Sequence, residues 1–84
     1  MNHQDIVTEI IKVLTPLVKD KGVEQITEDT ELTGELALDS MQVMNMLLEL
    51  EDAFDISIPV NAMADIKTVG DLANQIEQLM SGHS

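Results

Sequence analysis

One serine in the middle of the chain is the residue best placed for covalent chemistry. Ser40 follows Leu38-Asp39 and directly precedes an apolar-rich helical stretch. Serine catalysis needs a base that activates the hydroxyl, usually a histidine held by a carboxylate. The only histidines, His3 and His83, lie near the two chain ends, where we expect frayed segments. The pattern therefore favours an attachment point at Ser40 over a catalytic nucleophile.

Other site chemistry finds little support in the sequence. The run from Asp29 to Gly34 resembles the start of a calcium loop, but the position that should hold a bidentate glutamate is Ser40. Without cysteine, neither a disulfide nor a thiolate metal site is possible. The four glycines are far apart, so a glycine-rich phosphate loop is absent. We predict no metal site and no catalytic residues.

The charge balance limits the possible partners. Sixteen acidic residues face four lysines, which gives a net charge of -12 over 84 residues. Such a surface repels phosphate backbones and anionic lipid, so we expect no nucleic-acid binding and no stable membrane insertion. No apolar run approaches the roughly 20 residues of a membrane span, and no signal peptide is visible. We expect a cytoplasmic monomer whose acids either meet basic patches on partners or only keep it soluble.

The first half of the chain predicts one helix and a long loop. Apolar residues recur at three- and four-residue steps from Ile6 to Val18, and Pro16 should kink or end this helix near Thr15. Gly22 is a natural stop. The periodicity then fades, and residues 23–38 read as a long loop. Its apolar anchors are Ile26, Leu32, Leu36 and Leu38.

The second helix carries the candidate site in its first turn. Asp39 is a good N-cap, and Gln42 can complete a capping box. A lone serine at a helix start is most often only a cap. Here Asp39 already supplies the capping oxygen, which leaves the Ser40 hydroxyl available. The predicted buried stripe, widened by Met44 and Leu48, consists of Val43, Met46, Leu47, Leu50 and Phe54.

The last part of the chain predicts two further helices. Residues 55–59 read as an extended connector whose Ile56 and Ile58 point inward, and residues 61–66 as one short helix. Thr68 should cap the last helix, again with a capping-box spacing to Asp71. The expected fold is all-α: a small antiparallel four-helix bundle, with three main helices and one short helix. We expect a single domain over residues 1–84, with a core of about 4–80 and frayed termini.

Three motifs in order resemble the acyl carrier protein family. They are Leu38-Asp39-Ser40-Met41, the run from Leu50 to Pro59 with its Phe-x-Ile-x-Ile-Pro-like end, and Thr68-Val69-Gly70-Asp71-Leu72. The resemblance covers the chain from Ile6 to Met80. It implies that Ser40 carries 4'-phosphopantetheine, which a phosphopantetheinyl transferase adds from coenzyme A. Asp39 then matches the acid that helps in transferase recognition.

The resemblance also implies partners and a cargo. The partners are an acyl-loading ligase or synthase and acyltransferases with basic patches, and the cargo is an acyl group in fatty-acid, lipid or specialised-metabolite biosynthesis. The partner-binding candidates on the second helix are Met41, Met44, Glu49, Glu51 and Asp52. Candidate residues for lining an acyl pocket are Met44, Met46, Met63 and Met80, although for each methionine taken individually a core residue is the simpler interpretation.

Two departures from the family pattern concern partner choice. Gln42 and Asn45 are neutral where fatty-acid carriers commonly have acids, which favours a dedicated carrier over the housekeeping one. Aminoacyl or peptidyl carriage for a dedicated ligase is one alternative. A cofactor-free, acidic, methionine-rich module that binds a basic helix is another.

Overall fold

In the computed structural model, which describes residues 2–19, 25–34 and 36–81, three α-helices and one 3₁₀ segment follow one another. Helix α1 spans His3–Leu17, α2 spans Ser40–Phe54 and α3 spans Val69–Met80, with the 3₁₀ segment at Val60–Asp65. Helix α1 packs against both α2 and α3. The prediction of an all-helical fold with one short additional element is confirmed. The short element is a 3₁₀ turn that starts one residue earlier than expected.

Helix α1 continues past its proline. The expectation was a kink or an end near Thr15, and the end is wrong because the helix reaches Leu17. A proline removes one N–H donor and leaves the later donors intact. The N–H of Val18 donates to the Leu14 carbonyl (3.1 Å) and closes the last turn. The predicted stop at Gly22 lies outside the described residues.

The core is almost wholly aliphatic and draws on every helix and on the loop. The predicted loop anchors Leu32, Leu36 and Leu38 are buried, and Ile26 is half-buried. The largest side chains with less than 2% of their surface exposed are Ile6, Ile10, Leu14, Leu32, Leu36, Met46, Leu50, Val69, Leu72 and Ile76. The loop is therefore part of the packed structure. It is held by burial of apolar side chains rather than by regular secondary structure.

One side of helix α2 is more exposed than the sequence pattern suggests. The stripe residues Met46, Leu47, Leu50 and Phe54 are buried, whereas Met44 is 48% exposed and Leu48 is 58% exposed. The prediction that Met44 and Leu48 widen the buried stripe is therefore wrong. Side chains four residues apart lie on the same side of a helix, and this side of α2 faces solvent. Both of these large apolar side chains are left on the surface.

The loop pairs with the start of α3 through a short backbone ladder. The N–H of Leu32 donates to the Lys67 carbonyl (2.9 Å), and the N–H of Val69 donates to the Thr30 carbonyl (3.0 Å). The N–H of Gly70 donates to the Glu28 carbonyl (2.8 Å). A Cβ at Gly70 would come within 3.2 Å of that carbonyl oxygen, which is tighter than ordinary contact. The glycine therefore permits the close approach of loop and helix.

Helix α3 begins with the predicted capping box. The Thr68 hydroxyl accepts from the Asp71 N–H (3.1 Å), and the Asp71 carboxylate accepts from the N–H groups of Lys67 (3.1 Å) and Thr68 (3.2 Å). These backbone hydrogen bonds, first from Lys67 and then from Thr68, hold the pKa of Asp71 below its ordinary value. The start of α3 is thus fixed by its own cap and by the loop ladder.

The N-terminal histidine is ordered, so the expectation that it lies in a frayed end is wrong. His3 is the first residue of α1, and its Nε2 lies 2.6 Å from a Glu28 carboxylate oxygen of the loop. Its Nδ1 lies 2.5 Å from a Glu77 oxygen of α3. Both ring nitrogens can donate only when the imidazole is protonated. The hydrogen bonds to Glu28 and Glu77, in that order, raise the pKa of His3.

Candidate attachment site at the start of helix α2

Asp39 closes the N-terminus of α2 by the predicted capping box. Its backbone is extended, its Oδ1 accepts from the Gln42 N–H (2.8 Å), and its own N–H donates to the Gln42 Oε1 (3.3 Å). Such a cap satisfies two backbone donors that a helix start would otherwise leave without partners. The helix therefore does not need the hydroxyl of the following residue, Ser40, as a cap.

Ser40 itself is exposed as the first residue of α2. Within the described part of the chain, no hydrogen-bond partner is found for its hydroxyl. The first N–H groups of a helix have no intrahelical acceptor, and the helix start carries a partial positive charge. The site thus combines a reachable oxygen with a local electrostatic environment that favours an anion.

The turn that leads into this site holds an uncommon backbone conformation. Ala37 has a φ of 51°, in the left-handed region that costs a residue with a Cβ about 1–2 kcal/mol. Hydrogen bonds on either side hold it in place. The Leu36 N–H donates to the Glu31 carbonyl (3.0 Å), and the Leu38 N–H donates to the Leu32 carbonyl (3.2 Å). No glycine or asparagine marks this turn, and the sequence analysis missed it.

A cavity of about 310 Å³ opens beside the serine. It is lined mainly by apolar side chains from the loop, from α2 and from the segment before α3. The lining residues are Leu32, Thr33, Leu38, Asp39, Ser40, Val43, Met44, Leu47 and Ile66. An apolar chain attached near Ser40 would find a matching surface here, since Ser40 is itself one of the lining residues.

The methionines predicted to line a pocket are dispersed. Met44 lines the cavity beside Ser40, whereas Met46 is completely buried in the core. Met80 lines a different cavity, near Ile6 and Glu77. The side chain of Met63 lies outside the described part of the structure. Methionine alone is thus a poor indicator of the cavity, whose walls are mostly leucine, valine and isoleucine.

The predicted partner-binding residues fall into two groups. Met41, 75% exposed, and Met44 follow Ser40 on the surface of α2, and Glu49 and Asp52 are exposed further along the helix. Glu51 differs, because it is half-buried and its Oε2 accepts from the Ile58 N–H (2.7 Å). It therefore holds the connector after α2. Sequence reasoning missed Leu48 as a surface residue of the same helix.

Metal and membrane features are absent from the described residues. No group of three or more His, Asp or Glu side chains in residues 2–19, 25–34 and 36–81 is arranged to hold a metal ion. No helix in these ranges has the length and apolar character needed to cross a membrane.

Comparison with known proteins decides the family. Residues 5–76 match the family model described as "Phosphopantetheine attachment site". The chain belongs to the acyl carrier protein family. It is 39% identical over 83 residues to a probable acyl carrier protein of Caulobacter vibrioides, covering 94% of this chain and 95% of that one. It is 32% identical over 78 residues to an acyl carrier protein of Borreliella burgdorferi, covering 93% and 96%.

Solved structures agree with this assignment. The fold is similar to that of an acyl carrier protein from Thermotoga maritima, with a TM-score of 0.78, 21% identity and coverage of 98% of this chain and 94% of that one. A putative acyl carrier protein from Mycobacterium tuberculosis gives a TM-score of 0.67 at 30% identity, with coverage of 90% and 95%. The protein is an acyl carrier protein with a domain that binds 4'-phosphopantetheine covalently. Members of this family are carriers on which enzymes act.

Proposed function

We propose that Ser40 is the residue that bears the 4'-phosphopantetheine arm. The observation that supports this most directly is the exposed hydroxyl of Ser40 beside a helix cap that Asp39 already completes. A hydroxyl used by the backbone would have to give up a hydrogen bond before it could be modified. Ser40 is spared that cost, and its position in the first turn makes it accessible to a transferase.

The surroundings of Ser40 fit both ends of the arm. The phosphodiester would lie at the start of α2, where helix N–H groups favour negative charge. When bound, the arm supplies a terminal thiol that holds an acyl group as a thioester, which a chain without cysteine cannot provide by itself. The apolar walls of the adjacent cavity would receive the hydrocarbon part of the cargo. They favour acyl groups of lipid or specialised-metabolite biosynthesis over a charged aminoacyl group.

The exposed side of α2 is the proposed docking surface for partner enzymes. Met41, Met44 and Leu48 offer apolar contact next to the attachment site, and Glu49 and Asp52 add charge further along the helix. The proposed partners are a phosphopantetheinyl transferase, an acyl-loading ligase or synthase and acyltransferases that carry basic patches. Asp39 is the proposed contact to the transferase. The proposed location of this reaction is the cytoplasm, where coenzyme A, the donor of the arm, is available.

Intact-mass spectrometry tests the attachment. The unmodified protein is incubated with coenzyme A and a phosphopantetheinyl transferase, and we expect the mass to rise by one phosphopantetheine arm. Ser40→Ala should abolish the increase completely. Ser57→Ala, which removes another exposed serine hydroxyl, is the control and should leave the increase unchanged. Modification of the Ser40→Ala variant would show that the arm is attached elsewhere.

A further inference from the structure

The side chain of Gln42 connects two helices that the chain separates by the long loop. Its Nε2 donates to the Leu17 carbonyl (3.2 Å), and its Oε1 accepts from the Asp39 N–H (3.3 Å). Leu17 is the last residue of α1, where carbonyl groups have run out of intrahelical donors. One half-buried amide therefore satisfies the end of α1 and the start of α2 together.

The amide of Gln42 makes both of these hydrogen bonds because it has a donor and an acceptor, which a carboxylate at neutral pH does not. A carboxylate could replace Oε1 in the capping box, because glutamate is also favoured at this helix position. A carboxylate has no proton to donate to the Leu17 carbonyl, however. It would also place negative charge at the C-terminal end of α1, where the helix dipole is already negative. The hydrogen bond to Leu17 thus gives a structural reason for a neutral residue at position 42, and this reason does not depend on the charge of a partner protein.

We propose that Gln42 is a positioning residue that holds the first turn of α2, and with it Ser40, in a fixed orientation against the end of α1. The capping box alone fixes the turn only within α2, because both of its members lie at the start of that helix. The hydrogen bond to Leu17 adds a reference point on another helix. Asn45, the other position of α2 at which fatty-acid carriers commonly have an acid, is exposed and lies about one turn further along. This inference rests on attachment at Ser40.

Three variants separate the hydrogen bond to Leu17 from the effect of charge. Gln42→Glu keeps an acceptor for the Asp39 N–H, loses the donor to Leu17 and adds a negative charge. Gln42→Met has a similar length, loses both hydrogen bonds and adds no charge. Asn45→Glu adds the same charge one turn away and leaves Gln42 in place. Each variant is modified by one transferase with coenzyme A, and kcat, KM and thermal unfolding are measured.

We expect Gln42→Glu and Gln42→Met to lower kcat for arm transfer about tenfold, with KM changed much less, because a small displacement of a reacting group is costly. Asn45→Glu should leave kcat unchanged. The assays are run well below the unfolding midpoint of every variant, so that a lower fraction of folded protein cannot imitate the result.

Other outcomes overturn the inference. If the two Gln42 variants unfold at lower temperature but retain the wild-type kcat, Gln42 stabilises the bundle without positioning Ser40. If only the two glutamate variants change, and through KM in a salt-dependent way, position 42 acts through charge in docking. If the wild-type protein is not modified at all, the proposed attachment at Ser40 is wrong, and the role of Gln42 that depends on it is wrong as well.

Discussion

Helices α2 and α3 begin with the same local signal but in opposite surroundings. Each has an N-cap residue and a capping box, through Asp39 and Thr68 respectively. At the start of α3, Val69 is completely buried, and the N–H groups of Val69 and Gly70 donate to loop carbonyls. At the start of α2, Ser40 is exposed. The difference shows that the cap determines where a helix begins. Whether that helix start is then buried in the structure or exposed to solvent depends on whether the loop covers it.

The same contrast extends along the two helices. Helix α3 is covered by α1 and by the loop, so Val69, Leu72, Ala73 and Ile76 are buried, whereas Met80 in its last turn is 38% exposed. Helix α2 buries one face and leaves Met41, Met44 and Leu48 on the surface. These exposed apolar side chains cluster beside the proposed attachment site, as expected of a surface that contacts a partner. We infer that α3 serves mainly to stabilise the fold and α2 mainly to present the site.

The largest expected effect comes from comparing a Leu→Ala substitution at one position in α3 and one in α2. Leu72→Ala, in the buried face of α3, should lower the free energy of unfolding by about 2–5 kcal/mol, because it leaves a cavity in the core. Leu48→Ala, on the exposed side of α2, should change it by about 0.5 kcal/mol or less. Urea denaturation measures both values. Equal losses at the two positions would contradict the division of roles.

A smaller effect is expected at the turn before Ser40. Ala37→Gly should raise the free energy of unfolding by about 0.5–1 kcal/mol, because glycine relieves the cost of the left-handed conformation but gains freedom in the unfolded chain. Ala53→Gly is the matched control at an exposed position in the last turn of α2, where the same change should destabilise by up to about 1 kcal/mol. Thermal unfolding should therefore shift in opposite directions. Shifts of the same sign would show that the backbone at Ala37 is not strained.

The smallest expected effect is the pH dependence of stability that comes from His3, the residue of α1 that contacts Glu28 in the loop and Glu77 in α3. Because the folded state raises the pKa of His3, its stabilising contribution is complete below the ordinary value of 6.5 and is lost as the pH rises through the folded-state pKa. The melting temperature of the wild type should therefore fall as the pH rises from 6.5 through the folded-state pKa of His3. His3→Gln should flatten the fall, and His83→Gln should leave it unchanged. A fall of the same size in His3→Gln would assign it to other groups.

The sequence predicted those features that depend on local chemistry. The capping boxes of Asp39 and Thr68 and the loop anchors Leu32, Leu36 and Leu38 were found from residue type and spacing, because caps and apolar burial follow directly from both. The family motifs around Ser40 added the fold and the cofactor.

Features that depend on distant contacts were missed. Nothing in the spacing of His3, Glu28 and Glu77 shows that they meet, since they belong to three different segments. The exposure of Leu48 was missed because an apolar residue near a buried stripe looks like part of it. Gln42 was interpreted as the capping-box partner of Asp39 and as a missing charge, but its contact with Leu17 was missed because it joins residues on either side of the loop.

The ladder between the loop and the start of α3 also has a consequence for the order of folding. Its hydrogen bonds join Glu28, Thr30 and Leu32 to residues far along the chain, so closing it costs considerable chain entropy. The hydrogen bonds that form α2 and its cap are local and can form early. We expect helix α2, which carries Ser40, to be partly structured in the folding transition state. The ladder between the loop and α3 should form after that transition state.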